Sequence, residues 1–247
     1  MSTPVRSISL TDQEVGFYRD QGYLLIPNVV DTAAVDGLKD EVMEIVRHGG
    51  QTAAKLRQVS QTYLAGSGLD RLINSDRITQ LASGLMDGES HLHSVFTAVK
   101  SPGGGRFHFH QYTQFDGPGI NRWFALCPMS PANGCIEVVP KSHTNGTLPS
   151  VNSGDGDHYL KIETEPSDPQ PIAMNPGDVL AFSRLAVHGS GANTTQSPRV
   201  GFAIQCFRHD VQALIDGQWL ALLEQPRFDL TPKSQLGGDG PELLDQN

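Results

Sequence analysis

The spacing of apolar residues changes character near residue 90. Before it they recur at helical intervals, and after it short apolar runs are separated by Pro/Gly turns. Thr11-Asp-Gln-Glu14 has the form of a capping box, and Leu10 with Val15 has the spacing of a hydrophobic staple. A short helix is therefore expected to start there and to end near Gly22. Tyr23 to Ile26 reads as a strand stopped by Pro27. Asp31 is placed to cap a second helix, on which Val35, Leu38, Val42, Ile45 and Val46 share a face, Arg47 and His48 suit the carboxyl end, and Gly49 terminates. Gln51 to Gly68 has weak periodicity and is expected to be a covering loop. Asp76 is placed to cap a third helix carrying Ile78, Leu81 and Leu85.

From residue 93 the expected strands are Ser94 to Lys100, Arg106 to Phe115, Ile120 to Cys127, Cys135 to Val139, Pro171 to Met174, Val179 to Phe182 and Val200 to Phe207. Short strands with Pro/Gly turns indicate a sandwich or barrel. Asn175-Pro-Gly-Asp178 has the residues of a type II turn. Thr144 to Asp157 is rich in Gly, Ser and Asn and suits a loop over a substrate. Val211 to Leu223 is expected to be helical, followed by an extended or disordered Pro/Gly-rich end. The organisation predicted is one domain over 1–247, with a helical buttress at about 11–86, a barrel at about 93–208 and a tail at 209–247.

Composition narrows the function. A formal charge of −9 and a pI near 5.4 disfavour nucleic acid and anionic membrane surfaces, both of which need clustered Lys and Arg. No apolar signal core stands at the amino end, and no run approaches the roughly 20 residues that span a bilayer. A cytoplasmic protein is the expectation. Cys127, Cys135 and Cys206 fall in apolar strand-like runs, so buried thiols are expected rather than disulfides or a zinc site. On a regular strand His108, His110 and Tyr112 share one face, opposite Phe107, Phe109 and Gln111.

Four separated phrases then occur in one order: Phe17-Tyr-Arg-Asp-Gln-Gly22, Lys100-Ser-Pro-Gly, Asn133-Gly-Cys-Ile-Glu-Val-Val-Pro-Lys-Ser-His143, and Asn175-Pro-Gly-Asp178 leading to His188 and to Pro198-Arg199. Together they resemble the phytanoyl-CoA dioxygenase-like family of Fe(II)/2-oxoglutarate oxygenases, from about Phe17 to Phe207. The resemblance implies a mainly β fold with flanking helices, a double-stranded β-helix (jelly-roll, cupin-like) barrel. It implies Fe(II) at His110 and His188, and 2-oxoglutarate anchored by Arg199, with Lys100 and Ser190 as further contacts and Trp123 lining the same pocket. The family reads His-x-Asp where this chain reads His110-Gln111-Tyr112. A carboxylate is ionised at neutral pH, whereas a phenol has a reference pKa near 10 and is longer.

Tyr112 and His108 are therefore the catalytic candidates, and three readings stay open. The chain is an oxygenase oxidising (hydroxylating or desaturating) a small organic molecule, with Tyr112, His108 or water completing the iron shell. Or it is a non-redox cyclase, isomerase or lyase using Tyr112 and His110 as acid and base. Or it is a binding protein. A three-histidine site of His108, His110 and His188 is the variant arrangement, and halogenation is disfavoured because Tyr112 fills the halide's place.

Overall fold

A computed structural model describes residues 5–6, 8–48, 56–152, 160–224, 233 and 235–236. Its first elements follow the local signals. Helix α1 (Asp12–Gln21) opens with the predicted capping box, in which Thr11 and Glu14 exchange hydrogen bonds, and closes at Gly22, whose φ of 82° suits glycine. Strand β1 (Tyr23–Ile26) follows. Helix α2 (Thr32–His48) buries all five predicted apolar positions, and the Asp31 carboxylate accepts from the Ala33 amide at its start.

The predicted loop from Gln51 is corrected in part. Its residues 51–55 lie outside those described, but β2 (Leu56–Ser60) pairs antiparallel with a long strand further on, and a short helix α3 (Gly68–Ile73) is capped by Ser67. Helix α4 (Asp76–Met86) is preceded by Ser75 rather than capped by Asp76, and it buries Ile78, Leu81 and Leu85 as expected.

The strands that follow are β3 (Ser90–Lys100), β4 (Phe107–His110), β5 (Phe115–Asp116), β6 (Gly119–Ala125), β7 (Ile136–Val138), β8 (Ser150–Asn152), β9 (Leu160–Ile162), β10 (Gln170–Pro171), β11 (Val179–Ser183), β12 (His188–Ser190) and β13 (Arg199–Arg208), and two main sheets build the barrel. The six-stranded sheet runs β1-β11-β6-β13-β3-β2 and the four-stranded sheet β10-β7-β12-β4. Helices α2 and α4 cover the outer face of the larger sheet, burying Val95, Val99, Phe124, Phe202 and Ile204. The alternate residues of the same strands face the smaller sheet and form the site. This is the predicted double-stranded β-helix.

Two regions depart from expectation. Part of Thr144 to Asp157 is a β8–β9 hairpin rather than a loop; residues 153–159 are outside the described set. Val211 to Leu223 is not helical. It folds as the hairpin β14 (Gln212–Ile215) and β15 (Gln218–Ala221) around Asp216-Gly217, whose φ values of 49° and 77° are those of a tight hairpin turn. The three thiols are buried and free, as predicted. Among the described residues no helix is long and apolar enough to cross a membrane.

Candidate active site

His110 and His188 are register partners on β4 and β12, neighbouring strands of the smaller sheet. Their ring centroids lie 4.1 Å apart, and both residues are buried. The Nδ1–H of His188 donates to the Ala186 carbonyl at 2.9 Å and that of His110 to the His108 carbonyl at 3.0 Å, which makes Nε2 the lone-pair nitrogen of each neutral ring. Burial, outweighing the facing carbonyls of His108 and His188, holds His110 down to about 4. Burial and the neighbouring His110 hold His188 well below its ordinary value. Both rings are thus in the form a metal requires.

His108 does not join them, against the expectation of a shared face. From His110 to Phe107 β4 spends three steps where β12 spends two from His188 to Ser190. This bulge puts one extra residue on β4 and breaks the alternation. Phe107 takes the place beside His110, ring to ring at 5.0 Å, while the Nδ1 of His108 lies 3.8 Å from Glu165. Among the described residues no third His, Cys, Asp or Glu completes a metal cluster, so the three-histidine arrangement does not form.

Tyr112 lies just past the end of β4, with its ring 5.6 Å from that of His110 and 5.4 Å from that of His188. Its oxygen faces the larger sheet, where Asn121 Nδ2 donates to it at 3.3 Å and the Gln205 side chain also bonds it. Ser94 Oγ donates to Gln205 Oε1, which turns the Gln205 amide nitrogen toward the phenol. Burial dominates over these bonds and raises the phenol to about 12. Gln111 points away, as predicted, and ties Gly146, Leu148 and Leu185 together.

Further into the barrel Arg199 and Lys100 are register partners on β13 and β3, 1% and 0% exposed. Lys100 Nζ donates to Ser190 Oγ at 2.7 Å and to the Gly191 carbonyl. Arg199 donates to the Gly134 carbonyl at 2.8 Å and lies over the Trp123 ring at 4.9 Å, while its Nε has no partner. Asp178 is occupied by the amides of Asn28 and Asn175 and does not pair with Arg199. Burial first and Arg199 second lower Lys100 to about 7; burial lowers Arg199 to about 10.

The backbone makes this corner possible. Gly134 has φ of 72°, and a Cβ there would stand 2.3 Å from the Gly191 carbonyl and 3.1 Å from Lys100 Cδ. At Gly201 a Cβ would strike the Trp123 ring at 2.1 Å. Asn193 donates to the carbonyls of Lys100 and Ser197 and fixes the end of β3.

Sequence reasoning missed Asn121, Gln205, Phe107 and Phe182, whose ring lies 4.5 Å from His188. The period-2 pattern through Trp123 and Arg199 carries Asn121 and Gln205, since both stand on the same inner face. On that face Phe207 follows Gln205, and its ring meets those of His93 and Phe115 at 4.9 and 4.3 Å.

The donor set fits a divalent metal through two imidazoles and lacks the carboxylate that would complete a facial triad. The buried cation pair fits a dicarboxylate. Comparison with known proteins agrees. The phytanoyl-CoA dioxygenase (PhyH) family profile matches residues 18–201. The chain is 29% identical over 206 residues to the methylphosphonate hydroxylase of Gimesia maris, covering 77% of this chain and 78% of that one. It shares its fold with the epimerase SnoN, solved with Fe3+, alpha ketoglutarate and nogalamycin RO, at a TM-score of 0.71 and 22% identity over 93% and 96% of the two chains. The carbocyclase SnoK, also alpha ketoglutarate dependent, superposes at 0.69 with 21% identity over 86% and 89%. The chain therefore belongs to the phytanoyl-CoA dioxygenase family.

Proposed function

We propose that the protein is an Fe(II)/2-oxoglutarate-dependent enzyme that oxidises a small organic molecule, with His110 and His188 holding iron and with Arg199, Lys100 and Ser190 holding 2-oxoglutarate. The observation that carries the reading is the pair of buried cations, Lys100 and Arg199, side by side across two strands without an ion-pair partner among the described residues. Burying an unpaired charge costs several kcal/mol, and a dianion at this spot offsets that cost. Iron with bound 2-oxoglutarate would supply the oxidising power, with dioxygen as the oxidant and its reduction shared between oxidative decarboxylation of 2-oxoglutarate to succinate and oxidation of the substrate.

The chain's own groups have separable roles. Arg199, steadied by the Gly134 carbonyl and the Trp123 face, receives the distal carboxylate, and Lys100 with Ser190 receives the same group from the other side. Phe107 and Phe182 pack against the histidine rings and exclude water from them. Tyr112 keeps its proton at neutral pH and lines the substrate side together with Asn121 and Gln205. Next to it the rings of His93, Phe115 and Phe207 form an uncharged wall suited to a flat or apolar group. His108, beside Glu165, has no part in this assignment.

The test is metal content measured together with calorimetric 2-oxoglutarate binding. Stoichiometric binding in the wild type, lost in Arg199→Ala with the fold retained by circular dichroism, supports the reading. Unchanged binding in that variant removes it. A second reading, acid-base chemistry without oxidation, is favoured by Tyr112 standing where the carboxylate would be; it predicts turnover of substrate without succinate formation.

A further inference from the structure

Resting on the assignment above, a count of charges at the site leads one step further. Two neutral imidazoles face the metal position, the buried cations Lys100 and Arg199 lie on the facing sheet while Arg184 is held by the Tyr112 and Gly117 carbonyls, and among the described residues no carboxylate joins the histidines. Tyr112 does not replace the missing anion, because its oxygen is engaged by Asn121 and Gln205 on the opposite sheet. A divalent ion arriving alone would add positive charge to a buried pocket that already holds the Arg199 guanidinium and the Lys100 amine, with Glu137 the acid that acts on Lys100 and no carboxylate at the histidines. A 2-oxoglutarate dianion arriving alone meets those cations and needs no metal to be stabilised.

We propose that 2-oxoglutarate itself supplies the negative charge this site has lost, so that the metal binds tightly only after the cosubstrate, with the two affinities strongly coupled. In a site with its own carboxylate the metal has an anion before the cosubstrate comes, and the coupling is correspondingly small. Here the ligand set is completed by the cosubstrate, and the order of assembly follows from charge. Linkage makes the effect reciprocal: whatever factor 2-oxoglutarate adds to metal affinity, the metal adds to 2-oxoglutarate affinity. The coupling expected is at the upper end of what linked sites show, about 100-fold or more.

Mn(II) is the probe, because it binds such sites without oxidising and its free ion is counted directly by electron paramagnetic resonance. The wild-type protein is titrated with Mn(II) in the absence and in the presence of saturating 2-oxoglutarate, and 2-oxoglutarate affinity is measured by calorimetry with and without Mn(II). The expected result is an Mn(II) affinity raised about 100-fold by 2-oxoglutarate, a matching rise in the reciprocal titration, and measurable 2-oxoglutarate binding to the metal-free protein. Tyr112→Asp should bind Mn(II) alone and show coupling of only a few fold. Tyr112→Phe should keep the wild-type coupling, since the phenol oxygen is not a ligand.

Equal Mn(II) affinity with and without 2-oxoglutarate in the wild type overturns the coupling and leaves the functional assignment standing. Loss of Mn(II) binding in Tyr112→Phe also overturns it, by placing the phenol oxygen in the metal shell. No Mn(II) binding in any condition, in the wild type and Tyr112→Asp alike, overturns the coupling and the metal assignment together.

Discussion

The proposed cosubstrate corner and the proposed metal corner of this barrel are built on opposite sheets and differ in completeness. Around Arg199 and Lys100 each neighbour serves the pair: a glycine that no other residue replaces without collision, a carbonyl that aims the guanidinium, an aromatic face beneath it and a hydroxyl at the ammonium. Around His110 and His188 the imidazoles are oriented and neutral, yet the acid that would neutralise a metal is a tyrosine whose oxygen is bound elsewhere. The difference teaches that a site can keep the geometry of its ligands while losing their charge. Charge, unlike geometry, is restorable by something that binds.

The contrast can be broken at its strong end first. Arg199→Ala should weaken 2-oxoglutarate binding by about 100-fold or more, the order expected when one partner of a desolvated charge pair is removed, read by calorimetry on protein shown to be folded. Gly134→Ala should cost about 3 kcal/mol from a left-handed backbone and a collision with the Gly191 carbonyl, lowering Tm by about 6–12 °C in a chain of this size. Because that residue also aims Arg199, cosubstrate affinity should fall with it.

Lys100 gives a pH signature. Its value in the folded chain, about 7, lies below the ordinary 10.5, so between those limits the native chain holds fewer protons than the unfolded one. Stability of the metal- and ligand-free protein should therefore rise as pH climbs from 7 toward 10. Cosubstrate affinity should fall over the same interval, by about fiftyfold between pH 7 and pH 9, because the anion needs the ammonium form. Denaturant melts and calorimetry at matched pH check the opposed slopes. The smallest expected effect is at Tyr112→Phe, which should change 2-oxoglutarate affinity by less than about twofold, because the deleted hydroxyl contacts Asn121 and Gln205 rather than the cation pair. The ferric wild-type protein should for the same reason show no phenolate charge-transfer band.

How much of this was legible in the sequence follows the range of the forces involved. The capping box at Thr11, the apolar stripe of α2 and the Asn175 turn are local, and the chain builds them as read. Arg199, Lys100, His110 and His188 were findable because ordered motifs carried them. What failed was non-local. β2 is a strand because β3 offers it an edge to pair with, not because its own residues demand it. The hairpin at Asp216-Gly217 did carry a turn signal, overridden in the reading by a helical-looking apolar spacing. His108 was placed on the wrong face because a bulge in β4 is a property of its pairing with β12, and no single-strand pattern shows it. Asn121 and Gln205 stood unnoticed on inner-face positions until the opposite sheet brought Tyr112 to them.

If the barrel keeps its cosubstrate corner and lacks only a carboxylate at the metal, Tyr112→Asp should bind Fe(II) more tightly than the wild type. It should also convert 2-oxoglutarate to succinate at least about tenfold faster in air, measured by quantifying succinate at limiting iron. Equal iron affinity and equal succinate formation in the two proteins, with both folded and both binding 2-oxoglutarate, would contradict it.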